Sequence, residues 1–91
     1  MKGRYYDEVP RGLEKIFATL QAYRPAGASG YHGSEDCMFI ELKNGWVLTL
    51  APEGADIKAQ LSRNRQRYGD VETFALDKYT KIQEWLSFHG L

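Results

Sequence analysis

His32, Cys37 and His89, with Glu35 and Asp36 between the first two, are the side chains of this sequence best suited to holding a metal or activating a nucleophile. Zinc sites bring ligands in close pairs such as C-x₂₋₄-C or H-x₃₋₅-H. His32 and Cys37 make one H-x₄-C pair, and no second pair follows. A Cys37–His32 dyad would need the preceding loop to fold back on a strand, and no third group stands ready to orient the histidine. Cys37 is therefore read as a buried, inert thiol, and His89 as a side chain answering the last carbonyls of a C-terminal helix. The carboxylate pairs Asp7-Glu8 and Glu35-Asp36 are sequence neighbours, whereas glycosidase-type chemistry needs two carboxylates facing each other across a cleft. GASGYHGS (27–34) invites comparison with a phosphate loop, which requires four residues between its glycines and then Lys followed by Ser or Thr. Here five residues separate Gly27 from Gly33, and Ser34 stands where the lysine belongs. No catalytic residue, metal ligand or cofactor site is assigned, and the chain is expected not to be an enzyme.

Charge placement is more informative. Twelve basic and twelve acidic residues cancel over 91 residues, which removes the simplest argument for nucleic-acid binding, a strongly basic domain. The charges are nevertheless sorted. Lys58, Arg63, Arg65 and Arg67 carry the segment between Ile57 and Tyr68 without an acid, while residues 35–56 hold five acids against Lys43 alone. Separated poles on a neutral chain orient a specific partner without pulling strongly on polyanions. Six tyrosines, four phenylalanines and two tryptophans exceed the needs of one small core. Tyr68 lies beside the arginines, and Tyr and Arg are the side chains enriched at protein interfaces.

The resulting expectation is a small non-catalytic protein-binding module that occupies a partner surface. It would use Lys58, Arg63, Arg65, Arg67 and Tyr68 together with Glu41 and Lys43 of a neighbouring hairpin. Such compact, charge-polarised domains suit stand-alone inhibitors or regulators, including those encoded by phages and mobile elements. The alternative is a nucleic-acid-binding domain using Arg63, Arg65 and Arg67. AQLSRNRQRYGDVETFAL resembles the strand–turn–strand that precedes a helix in integrase arm-type DNA-binding domains, over less than a third of the chain and without a diagnostic motif. That resemblance implies strand over 57–68 and arginines on phosphates. A third arrangement is a homodimer pairing exposed sheet edges.

The elements that must position these residues follow from periodicity. Residues 1–9 have no period and are read as a flexible tail, leaving 10–91 as a single domain. Pro10 suits a first helical turn. Leu13, Ile16, Phe17 and Leu20 then recur at helical spacing until Pro25 forces Arg24 out of the helix. PAGASGYHGSED reads as a loop. CMFIELK-NG-WVLTLA (37–51) is a β-hairpin. A two-residue turn would mix polar and apolar side chains on both faces. A type I turn through Lys43-Asn44 with Gly45 as a left-handed bulge instead pairs Leu42 with Trp46, Ile40 with Leu48 and Met38 with Leu50. At ~1.5–3 kcal/mol per buried large side chain, this segregated register should win.

Residues 56–69 are ambiguous. Asp56 is a good N-cap, Lys, Ala, Gln, Leu and Arg favour helix, and Gly69 suits the C-terminal stop. Ile57, Ala59 and Leu61 alternate as in a strand. The balance favours helix. VETFAL (71–76) reads as a strand with Phe74 inward and Leu76 a second candidate. Asp77 caps a last helix whose stripe is Tyr79, Ile82, Trp85 or Leu86, and His89, closed by a Schellman turn at Gly90-Leu91. The predicted fold is α+β: two layers, with N- and C-terminal helices packed on an antiparallel sheet of three to four strands. No apolar run is long enough to span a membrane, and the opening MKGRYYDEVPRG lacks a signal-like apolar segment, so a cytoplasmic location is expected.

Overall fold

The computed structural model describes residues 12–33 and 36–91. It is an α+β protein in which five antiparallel strands run in sequence order across one sheet: β1 (Gly30–Gly33), β2 (Met38–Glu41), β3 (Trp46–Glu53), β4 (Asp56–Arg63) and β5 (Gln66–Ala75). Helix α1 (Leu13–Ala22) precedes the sheet and α2 (Lys81–Phe88) follows it. The expected tail over 1–9, Pro10 and the carboxylate pair Asp7-Glu8 lie outside the described residues, as do Ser34 and Glu35.

The β2–β3 hairpin has the segregated register. Met38 pairs with Leu50 and Ile40 with Leu48, and the Leu42 N–H donates to the Trp46 carbonyl at 2.8 Å. The loop reaches this register differently from the type I turn expected, because Asn44 (φ 56°) and Gly45 (φ 80°) are both left-handed. Met38, Ile40, Leu42, Leu48 and Leu50 are buried and Trp46 is half-buried.

Residues 56–69 correct the helical expectation, and the sheet has five strands where three or four were predicted. β4 pairs with β3 along its length, setting Leu61 beside Leu48, Ala59 beside Leu50 and Ile57 beside Pro52. On a helix, Ile57 and Leu61 would share one face while Ala59 pointed to the opposite side. On a strand all three enter the core, and all are fully buried. Helix propensity differs by less than ~1 kcal/mol per residue among these types, whereas each large buried apolar side chain contributes ~1.5–3 kcal/mol. Gly69 is accordingly no helix stop. It sits at φ 77° in β5, within an irregularity where Gly69, Asp70 and Val71 lie opposite Gln60 alone.

Two further corrections concern connections. The segment read as a loop after Pro25 contains a 3₁₀ turn (Arg24–Ala26) and strand β1. Asp77 lies in another 3₁₀ turn, Leu76–Lys78, and α2 begins later with Thr80 as its N-cap. Leu76 is exposed. The Schellman ending is present: Gly90 has φ 83°, Leu91 N–H donates to Leu86 at 2.8 Å and Gly90 N–H to Ser87 at 3.0 Å.

Leu13, Ile16 and Leu20 of α1 and Ile82 and Leu86 of α2 join the inward sheet residues and Leu91 in one hydrophobic cluster. Gln83 Nε2 donates to the Thr19 carbonyl at 3.4 Å, tying the helices together. Phe17 meets Tyr31 of β1 edge-on at 4.6 Å. No described helix is long and apolar enough to cross a membrane.

Two substitutions test this packing. Leu48→Ala removes a fully buried side chain from the central strand and is expected to lower unfolding free energy by about 2–5 kcal/mol in urea titration. At Gly33, a Cβ would lie 2.3 Å from the Cys37 carbonyl oxygen. Gly33→Ala should therefore destabilise the fold by about 1–3 kcal/mol by the same measurement.

Candidate interaction surface

The arginine segment forms the tip of the β4–β5 hairpin. Arg63 pairs with Gln66, leaving Asn64 and Arg65 as a two-residue loop at φ 54° and 67°. Positive φ at both positions is what a type I′ hairpin turn requires. Asn tolerates that region, whereas Arg has no local side-chain hydrogen bond to offset the steric cost. Arg65 thus holds a strained backbone position at an exposed tip.

Arg63, Arg65 and Arg67 are exposed, and among the described residues none pairs with a carboxylate. Arg63 instead lies over the Trp46 ring, its Cζ 5.5 Å from the centroid. Trp46 meets Tyr68 edge-on at 4.9 Å, and Tyr68 meets His89 at 5.7 Å. This ring series continues through Trp85, 5.5 Å from His89, to Phe74. Tyr68 is 48% exposed and Phe88, 5.4 Å from His89, is 84% exposed. Guanidinium and ring faces therefore meet at one corner of the molecule, where cation–π attraction contributes ~0.5–1 kcal/mol at an exposed site.

The polar face of the sheet adjoins this corner. A depression of about 630 Å³ there is lined by residues including His32, Phe39, Glu41, Val47, Ser62 and Arg65. A second, of about 400 Å³, includes Thr49, Gln60, Ser62, Arg65, Arg67 and Val71. Of the residues selected from sequence, Arg63, Arg65, Arg67, Tyr68 and Glu41 gather around the tip and these depressions. Lys58 does not: its Nζ is 3.1 Å from Glu53 Oε1, farther along β4. Lys43, in the β2–β3 turn against Gly27, lines neither depression.

The hairpin register places Phe39 on the face opposite the core, as expected, and Trp46 on the core face, half-buried against the cluster at the strand end. Neither these two nor His32 stands out from sequence as lining an interaction surface. The two histidines lie apart. His32 is on edge strand β1 with its ring stacked on Phe39 at 5.3 Å, while His89 contacts rings near the opposite edge. The expected His89 interaction with helix-terminal carbonyls is replaced by these ring contacts. Cys37 is free and half-buried, and among the described residues no three His, Cys, Asp or Glu side chains converge as a metal set would.

The turn geometry has a measurable consequence. Arg65→Gly is expected to raise unfolding free energy by about 1 kcal/mol through relief of left-handed strain, read by chemical denaturation. A loss of stability would show that the Arg65 side chain supports the fold.

Comparison with protein-family models, with curated proteins and with solved structures finds no match to this chain.

Proposed function

We propose that this chain is a small, non-catalytic protein-binding module that acts by occupying a partner's surface. The observation that supports this reading is the set of three arginines of one hairpin without carboxylate partners among the described residues, with Arg63 over Trp46, which in turn meets exposed Tyr68. Charged planar donors next to amphipathic rings are the usual composition of energetic centres in protein interfaces. The chain is read as a two-layer domain: helices cover one sheet face, and the other face and the hairpin tip meet the partner. Stand-alone inhibitors or regulators of the kind encoded by phages or mobile elements, working in the cytoplasm, fit this form by general type.

A second reading, nucleic-acid binding, gains from one observation. β4, its arginine turn and β5 form a strand–turn–strand ahead of α2, the order that the integrase arm-type resemblance implies. Arginines would then contact phosphates, and affinity would fall steeply with salt. The balanced charge of the chain and the acid Glu41 within the larger depression favour the protein partner.

Affinity capture with wild-type and Arg63→Ala/Arg65→Ala/Arg67→Ala baits, with and without nuclease, separates the two. The expected result is a protein partner retained after nuclease and lost by the triple variant. Capture abolished by nuclease would support nucleic acid, and equal capture by both baits would remove the arginines from the interface.

A further inference from the structure

Strand register aligns a row of side chains across the polar face of the sheet. Gly30 pairs with Glu41, Glu41 with Val47, Val47 with Ser62, and Ser62 with Arg67. The row therefore runs from a carboxylate on β2, over an apolar side chain and a hydroxyl, to a guanidinium on β5. A parallel row beside it holds His32, Phe39, Thr49 and Gln60. The two depressions on this face share Thr49, Ser62 and Arg65, so they form one trough along the rows.

The poles of the trough have opposite sign. Glu41 and Arg67 are exposed, and neither makes an ion pair among the described residues. Three inter-strand spacings separate them, ~14 Å at ~4.8 Å per strand. That distance exceeds the ~8–10 Å screening length at moderate salt, so each charge is left to attract its own counter-group. A nucleic-acid strand carries one sign of charge and would be attracted at Arg65 and Arg67 but repelled at Glu41. A polypeptide can carry both signs. An extended chain advances ~3.3 Å per residue, so about four residues cover the distance.

We propose that this trough docks an extended segment of a partner protein carrying an acid and, about four residues away, a base. The acid seats at Arg65 and Arg67, the base at Glu41, and an apolar side chain between them rests on Val47 and Phe39. This inference rests on the protein-binding reading and specifies the chemistry of the partner.

Selection of displayed random dodecapeptides on the full chain tests it, with the enriched peptides remeasured by fluorescence anisotropy. The expected result is enrichment of an acid and a base separated by three residues. Glu41→Lys and Arg67→Glu should each weaken binding about tenfold, the scale of one lost charge contact plus repulsion. Both side chains are exposed, and far-UV circular dichroism verifies that the variants keep the fold. Oligo-dT of twelve nucleotides and a twelve-residue polyglutamate serve as single-sign probes and should bind more weakly than the selected peptides. Peptides that bind but are insensitive to both charge reversals would overturn the trough while leaving the protein-binding reading intact. Failure to enrich any peptide would overturn the trough, and oligo-dT binding strengthened by Glu41→Lys in that case would overturn both.

Discussion

Burial of one face of the β2–β4 sheet is the constraint on which the rest of the structure depends. Met38, Ile40, Leu48, Leu50, Ile57, Ala59 and Leu61 occupy alternate positions on three adjacent strands and are all fully buried. Because side chains alternate with a period of two, sliding any one strand by a single residue would exchange its core and solvent faces. Register is thus held by the free energy of burial along the whole strand, and turns conform to it. The β2–β3 loop shows this directly: it reaches the segregated pairing with Asn44 and Gly45 both left-handed.

The same constraint builds the candidate surface. Once the apolar side chains are inward, Phe39, Glu41, Val47, Thr49, Gln60, Ser62 and Arg67 must share the opposite face. Their transverse alignment is then a consequence of antiparallel pairing. Core and surface are two sides of one register, so a change in pairing would disperse both. The arginine tip adds local strain, Arg65 at φ 67°, to a fold whose other left-handed positions among the described residues are all glycine or asparagine. The neighbouring rings run from Trp46 through Tyr68 and His89 to Trp85, and Arg63 rests on the first of them.

Legibility in the sequence followed how local the deciding interaction was. The β2–β3 register was readable because two apolar runs and their turn lie within fifteen residues. The α1 stripe and the Schellman ending at Gly90-Leu91 were readable for the same reason. β1 was hidden because GYHG has only Tyr31 as a strand-forming residue, and its pairing with β2 supplies what its composition lacks. β4 was misassigned because Lys, Gln, Leu and Arg favour a helix when neighbours are ignored. Among the site residues, the arginines and Tyr68 were identified from charge and ring content, while the separation of Lys58 through Glu53 depended on strand ends that sequence spacing does not locate.

By itself, then, the sequence determined which side chains could face inward on the hairpin and both helices, where the cations and acids accumulate, and that the fold mixes helix with sheet. Only the tertiary structure decided that residues 56–75 form two further strands and that Glu41 and Arg67 stand at opposite ends of one row. The physical reason is that helix propensity and charge density are properties of short segments. Strand formation in Ile57–Leu61 and alignment across the sheet depend on neighbours contributed by distant parts of the chain, whose burial energy exceeds local preference.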